Sequence, residues 1–156
     1  MPIEYSTGSI FDSGADVLVC PVNCVGVMGK GLALEFKKRF NGLWDAYKTI
    51  WKEGLYPGMA IHVQNNTLQF PPPSAVYFAT TKDHWRDRTQ RHWVNDCLAN
   101  LRKSVDVRKR YRSIAIPALG CGLGGLDWAD VKQLIGKHFA DWPGRVIVFP
   151  PKGEET

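Results

Sequence analysis

Two short segments carry residue types that can hold a phosphate: Asn23-Cys24-Val25-Gly26-Val27-Met28-Gly29-Lys30-Gly31 and Gly120-Cys121-Gly122-Leu123-Gly124-Gly125. Glycines let a backbone turn sharply and come close to a ligand. A helix that follows adds free amides and the positive end of its dipole. One such loop is equally well explained as a tight strand–helix turn, but two at like strand ends can clamp one diphosphate between them. Neither has the Gly-Lys-Ser/Thr spacing of a Walker loop and neither is read as the Gly-x-Gly-x-x-Gly dinucleotide fingerprint, which disfavours an ordinary nucleoside-triphosphate or nicotinamide-dehydrogenase site. The third candidate is Lys82, in Phe78-Ala79-Thr80-Thr81-Lys82. A lysine amine stripped of its proton by desolvation can attack carbon; protonated, it can stabilise or protonate a leaving group. Asp83 beside it would favour the charged form if the two side chains meet. Cys121 invites a nucleophile reading, but no histidine or basic partner is near it in sequence, and a small neutral loop side chain explains it better.

These residues need a scaffold. Ile3–Tyr5 and Val17–Val22 read as strands, the second an apolar run of the kind buried on both faces. Gly31–Phe40 reads as a helix, followed by another over Leu43–Lys52. Ala60–Gln64 and Ala75–Ala79 read as short strands on either side of a loop holding Pro71-Pro72-Pro73. Thr89–Lys109 is predicted as a long helix because Val94, Cys97, Leu98, Leu101 and Val105 recur at helical spacing. Ser113–Ile116 is a strand, and Trp128–Phe139 is a helix with Asp127 as its N-cap, the carboxylate accepting from a first-turn amide. Arg145–Phe149 is the last strand. The alternation predicts an α/β fold, a mixed and largely parallel sheet covered by helices on both faces. In such sheets ligands bind beyond the carboxyl ends of the strands.

The chain has 156 residues, 44% hydrophobic and 22% charged, which suits one domain with a full core. We expect that domain over residues 1–150, with a polar, frayed tail over 151–156. No apolar run approaches the roughly 20 residues of a membrane-spanning helix. The first residues lack a basic stretch followed by an apolar one, so a cytoplasmic protein is expected, with no membrane partner. Cys20, Cys24, Cys97, Cys121 and the four histidines show no zinc-site spacing, so neither metal nor disulfide is expected. The net charge is +5, and Arg86, Arg88, Arg91, Arg102, Lys103, Arg108, Lys109, Arg110 and Arg112 fall in one stretch. That stretch is either a solvated helix face or a patch for phosphate-rich partners.

The strings Pro21–Lys37 and Ile116–Trp128 resemble the two ligand loops of macrodomains, and the resemblance runs from Gly8 to Phe149. It is nearest to the glycohydrolase branch, which holds the DNA ADP-ribosyl glycohydrolase antitoxin DarG and the terminal ADP-ribose protein glycohydrolase. Loop one, with Met-Gly-Lys-Gly-Leu-Ala, and loop two, with Gly-Leu-Gly-Gly-Leu-Asp-Trp, are most similar to those of DarG. The resemblance implies a three-layer α-β-α fold with a six-stranded sheet and a bound ADP-ribose, with no cofactor. It implies that Asn23 meets the distal ribose and shares catalysis with Lys82. Met28, Gly29, Lys30, Gly31 and Leu32 would line the ligand from one side. Thr80, Pro117, Leu119, Gly120, Cys121, Gly122, Leu123 and Gly124 would line it from the other. Ser9 and Ile10 would meet the adenine, Ser9 standing where many macrodomains have aspartate, and Phe149 would stack on that base or simply pack in the core. Asn23, likewise, is either a ribose ligand or a loop-capping asparagine.

One departure separates this chain from the protein-directed enzymes: the aspartate they pair with the lysine falls here at Gly124. The resemblance therefore implies removal of ADP-ribose from a nucleobase, thymidine, in single-stranded DNA by a monomer, with a DarT-like toxin as its partner. The basic stretch, with Trp85 and Trp93 interleaved, would then contact DNA. The alternatives are a non-catalytic ADP-ribose-binding module and a hydrolase of protein-ester or acetylated ADP-ribose.

Overall fold

The computed structural model describes residues 2–52, 54–65 and 73–154. Six strands form one sheet: β1 (Glu4–Tyr5), β2 (Val17–Asn23), β3 (Ala60–Gln64), β4 (Ala75–Lys82), β5 (Ser113–Pro117) and β6 (Arg145–Phe149). They lie in the order β1-β6-β5-β2-β4-β3. Every pairing is parallel except that of β3 with β4. Among the described residues four α-helices cover the sheet: α1 (Gly31–Arg39), α2 (Asn41–Lys52), α3 (Arg91–Arg108) and α4 (Trp128–Phe139). The expected three-layer α-β-α architecture is the one the chain adopts.

The period-2 alternation of the strands divides the core into two halves. Val17, Val19, Tyr77, Ile114, Ile116 and Val148 point to the side where α3 and α4 pack with Val94, Leu98, Leu101, Val131, Leu134 and Ile135. Leu18, Cys20, Val22, Phe78 and Ile147 point to the other side, against Phe36 of α1 and Tyr47 of α2. Burying side chains such as Leu98 or Leu101 contributes about 1.5–3 kcal/mol each. The helical spacing of the apolar residues on α3 is therefore what fixes that helix to the sheet. Cys20, Cys24, Cys97 and Cys121 are thiols, not disulfides. Among the described residues no helix is long and apolar enough to cross a membrane.

Two boundaries and one additional turn differ from the sequence reading in ways that matter for the site. β4 runs on past Ala79 to Lys82, because it stays paired with β2, Ala79 on Pro21, Thr80 on Val22 and Lys82 on Asn23. β-Branched threonines suit a strand even where the apolar run stops. α3 begins at Arg91, not Thr89, with Gln90 in extended conformation as its N-cap. A 3-10 turn, Ile10–Asp12, has no signal in the sequence periodicity; Ser9 caps it by accepting from the Phe11 amide. Asp127 is the N-cap residue of α4, as expected, but its side chain makes no capping hydrogen bond. Of the proline run, Pro71 and Pro72 lie outside the described residues.

Candidate active site

The parallel strands β2, β4, β5 and β6 all end at the same edge of the sheet, and the chain leaves β2 and β5 in opposite directions. That divergence opens a crevice. Here it is a cleft of about 1180 Å³, floored by Asn23, Lys82, Pro117 and Phe149 at four strand ends. Loop one contributes Gly29, Lys30 and Gly31, with Leu32 behind them, and loop two contributes Gly120, Cys121, Gly122, Leu123 and Gly124. Ser9 and Ile10 close the far end. Charge in the cleft is mostly positive, with Lys30, Lys82, Arg86 and Lys152 against Glu35. Pro151 and Lys152, from the polar tail, also line the cleft, and the Glu154 amide donates to the Pro151 carbonyl at 3.0 Å in a local turn.

Asn23 and Lys82 are neighbours by register: they pair across β2 and β4 just after an irregularity between Val22 and Asn23. A bulge at a strand end re-aims the side chains that follow it. Asn23 shapes the loop. Its Oδ1 accepts from the amides of Val25 (3.1 Å) and Val27 (3.3 Å), and its Nδ2 donates to the Val27 carbonyl at 2.8 Å. The Tyr47 hydroxyl donates to its backbone carbonyl. The loop-capping role is thus real, and one amide hydrogen of Asn23 is already committed. Lys82 is half-buried. Burial holds its amine below the ordinary lysine value, with Asp87 pulling the other way. The acid that faces it is Asp87, not the adjacent Asp83 of the sequence reading. Its Nζ donates to the Trp85 carbonyl at 3.5 Å, a long bond that leaves it aimed along the cleft wall.

Loop two is a set of turns. Cys121 donates to Ala118 (3.1 Å), Gly125 to Gly122 (3.2 Å) and Leu126 to Gly120 (2.9 Å). The amides of Gly122, Leu123 and Gly124 have no acceptor among the described residues. These three consecutive amides, on a loop that lines the cleft, are free to donate to an anion there. Contrary to the sequence reading, Gly120, Gly122 and Gly125 do stand at the spacing of the dinucleotide fingerprint, but the context that gives the fingerprint its meaning is missing: α4 begins only at Trp128 and does not line the cleft. An anion here would meet loop amides, not the helix dipole expected from the sequence. On the loop-one side the first turn of α1, residues 31–33, does line the cleft, so the dipole argument holds there.

Thr89 braces loop two from beneath. Its amide donates to the Gly124 carbonyl at 3.0 Å. A Cβ on Gly124 would fall 2.4 Å from Thr89 Oγ1 and 2.5 Å from the Gly120 carbonyl oxygen. A carboxylate side chain at 124 is therefore excluded sterically, not merely absent. The Thr89 hydroxyl is buried and has no hydrogen-bond partner among the described residues. Burial pushes the Cys121 thiol up to about 11, Asp127 adding to the effect, so it stays protonated and is no nucleophile at neutral pH.

Three expected contacts do not reach the cleft. Thr80 is fully buried, its hydroxyl donating to the Tyr56 carbonyl (2.8 Å) and accepting from the Met59 amide (2.7 Å); Thr81, one residue on, lines the cleft instead. Met28 and Leu119 are turned into the two halves of the core. Conversely, the sequence reading does not place Phe11 and Thr89 in the cleft and assigns Trp85 and Arg86 only to DNA contact, and all four line the cleft. Phe149 packs in the core, one of its two expected roles, and also lines the cleft. The basic stretch is not one surface. Arg86 lies on the cleft, whereas Arg102 turns to α4 and pairs with Asp106 (2.9 Å) and Asp141 (2.6 Å). Arg108 to Arg112 lie at the far end of the 18-residue α3, roughly 27 Å away by helix rise.

Comparison with known proteins agrees with this geometry. The family model described as Macro domain matches residues 19–135. A DNA ADP-ribosyl glycohydrolase of Mycobacterium tuberculosis is 36% identical over 152 residues, covering 97% of this chain and 43% of that protein. The solved macrodomain of Mycobacterium tuberculosis DarG superposes with a TM-score of 0.90 at 35% identity, covering 96% of this chain and 97% of that one. Thermosipho africanus DarTG, solved in complex with ADP-ribose, gives a TM-score of 0.90 at 26% identity, covering 99% of this chain and 43% of the other. The chain thus spans less than half the length of the curated relatives it matches first.

Proposed function

The chain belongs to the Macro domain family, and from that premise we propose that it is a DNA ADP-ribosyl glycohydrolase, releasing ADP-ribose from thymidine in single-stranded DNA. The observation that carries the proposal is Lys82, partly desolvated and in register with Asn23, on the floor of a cleft whose two glycine loops suit a diphosphate. Adenine lies toward Ser9, Ile10, Phe11 and Phe149. The diphosphate lies between Gly29–Gly31 and Gly120–Gly124, and the distal ribose lies over Asn23. A DarT-like toxin is the source of the modified DNA, as the fused transferase–glycohydrolase of Thermosipho africanus suggests. The enzyme works as a monomer in the compartment that holds the DNA.

In this reaction the bond between the anomeric carbon and the base nitrogen breaks. The neutral amine of Lys82 attacks that carbon, the base leaves and takes a proton from solvent, and water then hydrolyses the lysine–sugar bond to give ADP-ribose and intact thymidine. The absence of a loop-two carboxylate fits this order of events, because the lysine rather than an activated water makes the first bond.

The test separates binding from chemistry. Lys82→Ala keeps the affinity for free ADP-ribose within about threefold, since the diphosphate and adenine contacts lie elsewhere. It loses hydrolysis of an ADP-ribosylated oligonucleotide by about two orders of magnitude or more, the usual scale for a positioned acid–base or nucleophilic group. Wild-type turnover by Lys82→Ala would overturn the assignment. Binding without turnover by the unaltered protein would leave an ADP-ribose-binding module.

A further inference from the structure

The turn that follows Lys82 takes no part in the chemistry above, yet it forms a wall of the same cleft. Three of the five exposed large apolar side chains among the described residues, Val27, Trp85 and Leu123, line that cleft. Trp85 is the aromatic one, and it keeps 46% of its surface exposed. The Arg86 guanidinium lies over its ring at 4.8 Å from the centroid, and the His84 ring lies against it at 5.2 Å. The turn is stapled by its own bonds. The Asp87 amide donates to the His84 carbonyl (3.0 Å), the His84 amide to Asp87 Oδ2 (3.2 Å) and the Arg86 amide to His84 Nδ1 (3.1 Å). The Trp85 carbonyl accepts from Lys82 Nζ, so the aromatic and the amine are placed by one short stretch of backbone.

We infer that Trp85, with Arg86 stacked on it, is the ledge that receives the nucleobase bearing ADP-ribose and so sets the preference for a DNA substrate, an inference that rests on the hydrolase reading. A planar, positively charged surface beside the attacking amine suits a leaving group that has a π-face and an adjoining phosphate. The carboxylate of a modified protein side chain has neither. Guanidinium and indole planes are both surfaces on which an unpaired base stacks. The stapled turn presents them without further ordering on binding. The ledge acts on the part of the substrate beyond the anomeric carbon, so it should leave recognition of ADP-ribose itself untouched.

The experiment compares Trp85→Ala and Trp85→Phe with the unaltered protein. KM for a single-stranded ADP-ribosylated oligonucleotide should rise about tenfold or more in Trp85→Ala, the scale of losing one base–aromatic stack. Trp85→Phe should recover most of it. The kcat, the melting temperature and the affinity for free ADP-ribose should stay near those of the unaltered protein. The same order should hold for binding of the labelled, modified oligonucleotide, read by anisotropy in the Lys82→Ala background. An unchanged KM and oligonucleotide affinity in Trp85→Ala would overturn the inference, as would an equal loss of affinity for free ADP-ribose. If the unaltered protein cleaves no ADP-ribosylated DNA, the hydrolase reading fails. The anisotropy comparison would still decide the ledge.

Discussion

At the scale of single residues the sequence is informative where a side chain's role follows from its place in a loop, and misleading where it depends on strand phase. Lys82 and Asn23 are identifiable from the motifs they close, and register pairs them. Thr80 is expected at the ligand because it precedes Lys82 in the motif. The period-2 alternation of β4 gives that place to Thr81, and nothing in the local string shows where the strand ends. Met28 and Leu119 are drawn in by the same reasoning, since a motif does not say which of its members point inward. The desolvation that holds the Lys82 amine below the ordinary lysine value of 10.5 is not legible at all. It has a consequence in pH. A lysine depressed in this way reaches its neutral form at lower pH than an exposed one, and a neutral amine is what attack requires. The kcat/KM on ADP-ribosylated DNA should therefore rise with pH up to a plateau reached below the pH at which an exposed lysine titrates. A profile that falls through the same range would mean that the protonated amine acts, as a leaving-group acid. Lys82→Arg should not restore activity, because a guanidinium keeps its proton. Rescue by arginine would favour the electrostatic role.

At the scale of elements the two glycine loops are legible as ligand loops, and their inner workings are not. The helix N-terminus lines the cleft at loop one only, while loop two offers three amides without an acceptor among the described residues and is tied to Thr89. Thr89 reads as the start of α3 from the helical spacing of the apolar residues that follow it. The structure puts it under the loop instead. The loop should respond very differently to substitution at two of its glycines. A Cβ at Gly122 meets nothing within 4 Å, whereas one at Gly124 collides with Thr89 and the Gly120 carbonyl. Gly122→Glu should therefore fold with an unchanged melting temperature and lose ADP-ribose binding in calorimetry, its side chain standing where the diphosphate would lie. Gly124→Ala should cost about 1–3 kcal/mol in denaturant unfolding, as an overpacked site does. Normal ligand binding by Gly122→Glu would mean that loop two is not part of the clamp.

At the scale of the whole molecule the fold class is readable because α and β periodicities alternate and each helix has one apolar face. Contiguity in sequence is a poor guide to surface charge. The basic run from Arg86 to Arg112 is laid along a long helix that starts at the cleft and ends at the opposite edge of the sheet, with Arg102 neutralised by acids on the way. Only its first few members can touch DNA that is bound at the cleft. The salt dependence of KM for the oligonucleotide should then be modest, about two to three phosphate contacts at a slope near −0.7 each for single strands. Arg86→Ala should lower that slope, while Lys109→Glu with Arg110→Glu should leave it unchanged; a fall with the second pair would restore the long patch. The claim on which all of this depends is the identity of the bond cleaved. The direct measurement offers the protein equal amounts of ADP-ribosylated single-stranded DNA and ADP-ribosylated protein in one tube and follows free ADP-ribose and both substrates with time. The DNA should lose its ADP-ribose while the protein retains it. Loss from the protein with the DNA intact would overturn the assignment of a DNA substrate.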